Sequence, residues 1–76
     1  MTLTLLKAWG MAKARLEAVG LPGPVIDARL LVEAAADATR LDIVTDPHRL
    51  LTAEQVAQLE DYLERRSRRE PVSHIL

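Results

Sequence analysis

The sequence predicts an all-α fold, a small bundle of four to five helices around an apolar second helix. Three observations carry that expectation. The long segments are filled with Ala, Leu, Glu, Arg and Gln, residues that lose little on entering a helix. Strand-forming residues never alternate with polar ones over a strand's length, and Phe is absent. Apolar residues instead recur every three or four positions between stretches punctuated by Gly and Pro.

The first helix is expected from about Thr4 to Val19, with Leu5, Trp9, Ala12, Leu16 and Val19 as one continuous buried stripe. "VGLPGP" ends it. Gly20 suits the left-handed residue that follows a helix, and Pro22 prevents continuation. Pro24 then takes the first-turn position of a second helix, expected to reach Ala38. Val25, Ile26, Ala28, Leu30, Leu31, Val32 and Ala35 cover most of that wheel, and Arg29, Glu33 and Asp37 form one narrow polar strip. A helix apolar on most sides contacts several neighbours, which places this one at the centre.

A short third element is expected from Arg40 to Thr45. Thr39 is its candidate cap, and Leu41, Val44 and Ile43 are its candidate contacts. The fourth helix has the clearest start. Thr52 and Gln55 fit a capping box, in which each side chain satisfies an orphaned backbone N–H, and Leu51 and Val56 fit a hydrophobic staple. Val56, Leu59 and Leu63 are its expected buried face, with Tyr62 at the edge, and it should run to about Arg69. Glu70 precedes a proline and is pushed away from helical geometry. A new element therefore opens at Pro71, with Val72, Ile75 and Leu76 on one face.

Composition narrows the function. Seventy-six residues make one domain, 1–76, and a chain of this size buries only about 60–65% of its unfolded surface. With no Cys, neither a disulfide framework nor a thiolate metal site is available. No segment has the length and apolarity of a membrane span or a secretory leader, so a cytoplasmic location without membrane association is expected. A formal net charge of −1 is too balanced for general attraction to nucleic acid.

The chemistry-bearing residues are few. Ser73 and His74 are adjacent and so point in different directions, with no orienting carboxylate in view. "GLPGP" lacks the lysine and the strand-to-helix setting of a phosphate loop. His48 beside Asp46 and Asp42 does not repeat at ligand spacing, so no metal site is expected. "TAEQVAQLEDYL" is similar to the first helix of a helix-turn-helix, but Asp61 occupies the place of the turn glycine. The apolar stripe runs on to Leu63, and DNA binding is not expected.

"RRSRR", Arg65 to Arg69, has two readings. Cations suit the last turns of a helix, and Asp61–Arg65 and Glu64–Arg68 are acid-first i, i+4 pairs, so a self-balanced solvated face explains the run. Against the Val56–Leu59–Leu63 face, however, Arg65, Arg68 and Arg69 point outwards and Arg66 lies near the edge. Arg65, Arg68 and Arg69 are therefore the candidate docking residues for an acidic or phosphate-bearing partner.

Three stretches taken together resemble one family. "DARLLVEAA" (Asp27 to Ala35) resembles its Asp-Ala-x-x-Leu-Leu signature. "LTAEQVAQLEDYLERRSRREPVSHIL" (Leu51 to Leu76) is similar to its Leu-Thr…Arg-Arg…Glu-Pro stretch. "TRLDIVTDPHRLLT" has the character of the segment between them. The family is the release factor glutamine methyltransferases, known as PrmC or HemK. In the N-terminal helix only the general helical pattern matches.

The resemblance implies that these residues are an N-terminal domain followed by a β-hairpin linker and a doubly wound methyltransferase domain. That domain binds S-adenosylmethionine and methylates the Gly-Gly-Gln glutamine of class I peptide-chain release factors. The family's glycine loop and Asn-Pro-Pro-Tyr motif do not occur here, so no catalytic and no cofactor-binding residue is expected within these 76. The partners implied are the release factor and the protein's own catalytic domain. A docking module, a structural support for that catalytic domain and a stand-alone interaction module are the roles the domain can have.

Overall fold

The computed structural model describes residues 3–76. Five helices follow one another: α1 (Leu5–Ala18), α2 (Pro24–Ala36), α3 (Arg40–Thr45), α4 (Ala53–Ser67) and α5 (Val72–Ile75). Among the described residues there is no strand, only an isolated antiparallel bridge between Thr4 and Leu50. The all-α bundle expected from the sequence is the fold.

α2 packs along both α1 and α4, more extensively than those two pack on each other, so it is the central helix. The core is their shared seam. Leu5, Leu16, Leu31, Val32, Leu59 and Leu63 are its large fully buried side chains. Ala8, Ala12 and Ala28 are buried among them and let the helix backbones approach closely. At about 1.5–3 kcal/mol for each large side chain buried, this seam is the main favourable term available to so small a domain.

Local chemistry fixes each boundary. The Thr4 hydroxyl accepts from the Lys7 N–H. The first two N–H groups of α1, which have no acceptor within the helix, donate instead to the loop after α3: Leu5 to the Arg49 carbonyl at 2.9 Å and Leu6 to that of Pro47 at 3.0 Å. That loop is held by Arg49, whose guanidinium lies 3.3 Å from Asp42 and 3.0 Å from Asp46. Both capping boxes close reciprocally, Thr39 with Asp42 on α3 and Thr52 with Gln55 on α4. Gln55 does more, because its Nε2 also donates to the Ala36 carbonyl at the end of α2 (3.2 Å).

Several expectations need correction. α2 ends two residues earlier than Ala38, with Asp37 in the left-handed region (φ 51°) as its terminator. The buried line of α1 is Leu5, Ala8, Ala12 and Leu16, whereas Trp9 is half-buried and Val19 is exposed. Trp9 stands at the edge of that line, packed against the core without being enclosed by it. α2 is central, yet Val25 and Ile26 face outwards. On α3 only Ile43 is buried, and Leu41 and Val44 are 67% and 73% exposed. Leu41 and Val44 lie about 200° and about 100° around the helix from Ile43, so burying Ile43 turns both outward. α4 itself stops at Ser67, and Pro71 is the N-cap of α5 rather than its first residue.

Candidate functional site

The three arginines singled out by the sequence lie at the end of α4, and the structure treats them differently. Arg65 is held within the domain. Its guanidinium pairs with Glu70, lies 3.9 Å from Asp61 and reaches the His74 carbonyl on α5 at 3.4 Å. The hydrogen bond it donates to Glu70 holds its pKa above the ordinary arginine value. Arg68 is exposed and pairs with Glu64 at 2.6 Å. Arg69 is exposed and makes no ion pair among the described residues. Both expected i, i+4 pairs are therefore present, and Arg69 is the one of the three without a carboxylate partner.

Arg69 also has an unusual backbone, with φ at 69°. It occupies the left-handed position of a Schellman turn: the Arg69 N–H donates to the Arg66 carbonyl at 2.9 Å, and the Glu70 N–H to that of Arg65 at 3.1 Å. Glycine is the usual residue there, because a side chain in the left-handed region costs roughly 1 kcal/mol or more. Arginine stands in a place where it weakens the helix end.

The sequence places Arg66 near the edge of the buried face. In the structure it lies further in. Its Nε donates to Asp27 of α2 at 3.1 Å, with side-chain exposures of only 13% and 18%, and its Nη1 reaches the Glu70 carbonyl at 3.3 Å. The sequence carries a signal for this, since Val56, Leu59, Leu63 and Arg66 continue one stripe in steps of three and four. Asp27 and Arg66 thus tie the first turn of α2 to the last turn of α4.

A second surface is absent from the sequence reading. Trp9, Val25, Ile26, Arg29, Arg40, Ile43 and Val44 line a groove of about 500 Å³ between α1, α2 and α3. Its walls are apolar, and no acidic residue lines it. Ile26 is 58% exposed, Lys13 sits 5.5 Å over the Trp9 ring, and the buried Trp9 Nε1 finds no acceptor. A buried donor without a partner costs about 1–3 kcal/mol. The exposed Val25, Ile26 and Val44 are legible in the sequence as apolar residues, but assigning them to the interior hides the groove.

Elsewhere the polar groups are structural. Asp42 and Asp46 both engage Arg49, so the acidic residues near His48 already have a cation. The Thr39 backbone N–H, with the Thr39 hydroxyl and Arg49, holds the Asp42 carboxyl below its ordinary value. Among the described residues no His, Cys, Asp and Glu cluster is arranged to hold a metal ion. No helix among them is long and apolar enough to cross a membrane.

The family model of the PrmC N-terminal domain matches residues 7–76. The chain belongs to that family. Over its whole length it is 66% identical to the release factor glutamine methyltransferase of Caulobacter vibrioides, of which it covers 26%. It is 37% identical over 65 residues, 86% of this chain and 22% of the relative, to that of Agrobacterium fabrum. It is 34% identical over 73 residues, 96% of this chain and 26% of the relative, to that of Koribacter versatilis. The PrmC N-terminal domain described here thus spans about a quarter of the length of the relatives it matches. No solved structure matches it.

Proposed function

We propose that these residues are the N-terminal domain of a cytoplasmic release factor glutamine methyltransferase and that the domain helps dock the release factor. The reaction is transfer of a methyl group from S-adenosylmethionine to the side-chain nitrogen of the Gly-Gly-Gln glutamine in a class I release factor. That chemistry belongs to a catalytic domain outside these 76 residues, where the cofactor binds, and this domain performs no catalysis of its own. Its contribution is a second contact. Holding the release factor at two places restricts its orientation and makes the approach of the glutamine effectively intramolecular.

The observation that carries this reading is 66% identity along the full chain to a protein of that name. Within the domain, the docking role is assigned to Arg65, Arg68 and Arg69. Arg69 offers an unpaired guanidinium on a strained backbone, Arg68 can exchange its exposed partner Glu64, and Arg65 braces the turn that presents both. Backbone strain of this kind clusters at binding and catalytic sites, which supports the choice of Arg69.

The full-length enzyme carrying Arg68→Glu and Arg69→Glu together tests it. The KM for release factor should rise about threefold to tenfold with kcat unchanged, and the remaining reaction should depend less on salt. Unchanged kinetics at low salt would remove the arginine row from the docking surface.

A structural support for the catalytic domain is the second reading, and a specific observation favours it. Arg65 and Arg66 are both spent on contacts inside the domain, which makes the end of α4 a rigid mount. Under that reading, deleting the domain lowers the melting temperature but leaves the KM for release factor intact.

A further inference from the structure

We infer that the groove between α1, α2 and α3 is a second docking site on this domain, and that its occupant is an apolar segment of the release factor carrying a carboxylate. This rests on the reading that the domain docks the release factor. Three observations point to the groove. The first is its mouth, where Val25, Ile26 and Val44 present apolar side chains, 47%, 58% and 73% exposed, in a domain whose large fully buried side chains line one seam. A contiguous apolar patch rimmed by charge marks an interaction surface.

The second is the rim, which is positive. Arg29 and Arg40 are the charged residues lining the groove, in a chain whose formal net charge is −1. Arg29 is shared with Glu33 at 3.4 Å, whereas Arg40 makes no ion pair among the described residues. Arg40 is also the first residue of α3, the end of a helix at which the dipole favours an anion, so local stability does not account for it. Apolar walls under an unpaired cation complement a segment whose apolar side chains are flanked by a carboxylate.

The third is the placement, which suits an external partner. α5 packs mainly on α4, and none of its residues lines the groove. Val25 and Ile26 immediately precede Asp27, which holds Arg66. The first turn of α2, which carries Val25 and Ile26, therefore lies at the same end of the domain as the last turn of α4.

The experiment uses the full-length enzyme with release factor as substrate. Ile26→Asp with Val44→Asp puts carboxylates into the groove's mouth at exposed positions. Its KM should rise about tenfold or more while kcat and the melting temperature hold. Arg40→Glu alone should raise KM about threefold and flatten its salt dependence, and it decides between the outcomes if the double variant does not fold. Gln58→Glu, a new carboxylate on the exposed face of α4, should leave KM unchanged. An unchanged KM in the folded groove variants overturns the groove while the docking reading stands, provided deletion of the domain still raises KM. If deletion also leaves KM unchanged, the docking reading itself falls. A lowered melting temperature and kcat with KM intact would mean that the catalytic domain covers the groove, and would overturn the assignment to release factor.

Discussion

The turn after α1 and the turn after α4 have the same backbone and opposite chemistry. Each is a Schellman turn. After α1, the Gly20 N–H donates to the Glu17 carbonyl and the Leu21 N–H to that of Leu16. After α4, Arg69 and Glu70 repeat the pattern on Arg66 and Arg65. In the first turn the left-handed residue is glycine (φ 73°), and the residues that bracket it, Leu16 and Leu21, are both buried in the core. In the second the left-handed residue is Arg69, and the bracketing residues are an ion pair, Arg65 with Glu70. One corner is built for stability. The other keeps cations at the surface at the cost of backbone strain, and the comparison teaches where this fold accepts a loss.

The largest way to break the comparison is at the bracketing positions. Leu16→Ala should destabilise the domain by about 2–5 kcal/mol in urea unfolding, because it opens a cavity in the seam. Arg65→Ala, at the equivalent place in the second turn, should cost far less, since its ion pairs are only half-buried and are partly screened by solvent and salt. Next is Asp27→Ala, which leaves Arg66 sheltered from solvent without its carboxylate and should cost about 1–3 kcal/mol. Arg66→Met with Asp27→Leu should recover much of that loss.

The left-handed residues give smaller and opposite effects. Gly20→Ala should cost about 1 kcal/mol, all of it backbone strain, because a Cβ there meets nothing within 4 Å. Arg69→Gly should stabilise by about 0.5–1 kcal/mol, the relief of strain being partly offset by a more flexible unfolded chain.

The smallest effect separates the two capping boxes, which differ in that one contains a titrating group. Asp42 has a folded pKa below its ordinary 3.8. Its contribution is fully present above that value and is lost as pH falls through the lower, folded one. The stability difference between the native chain and Asp42→Asn should therefore shrink below pH 3.8, whereas Gln55→Ala should cost the same on both sides of it.

Much of this is legible in the residues. Gly20, Pro22 and Pro24 announce the first corner, Thr52 and Gln55 announce the start of α4, and the α4 stripe predicts Leu59 and Leu63 in the core. What is not legible depends on distance in the chain. The N–H groups of α1 are satisfied by carbonyls of Pro47 and Arg49, more than forty residues away, and no local pattern encodes that. Arg66 is expected only near the edge of the α4 face and Asp27 on no stripe, and two half-buried opposite charges read as surface residues until the helices are packed. The groove is hidden for the converse reason: Val25, Ile26 and Val44 are apolar and read, on pattern alone, as interior positions, whereas all three are exposed. The arginines proposed for docking are visible as a run, but which of them is unpaired depends on where Glu64 and Glu70 fall.

The central claim is that the second corner carries Arg69 for contact rather than for folding. Arg69→Gly in the full-length enzyme tests it with two readouts from one substitution. The account predicts a higher melting temperature together with a raised KM for release factor and an unchanged kcat. A higher melting temperature with KM unaltered would contradict it, and the arginine would then be only a strained helix end.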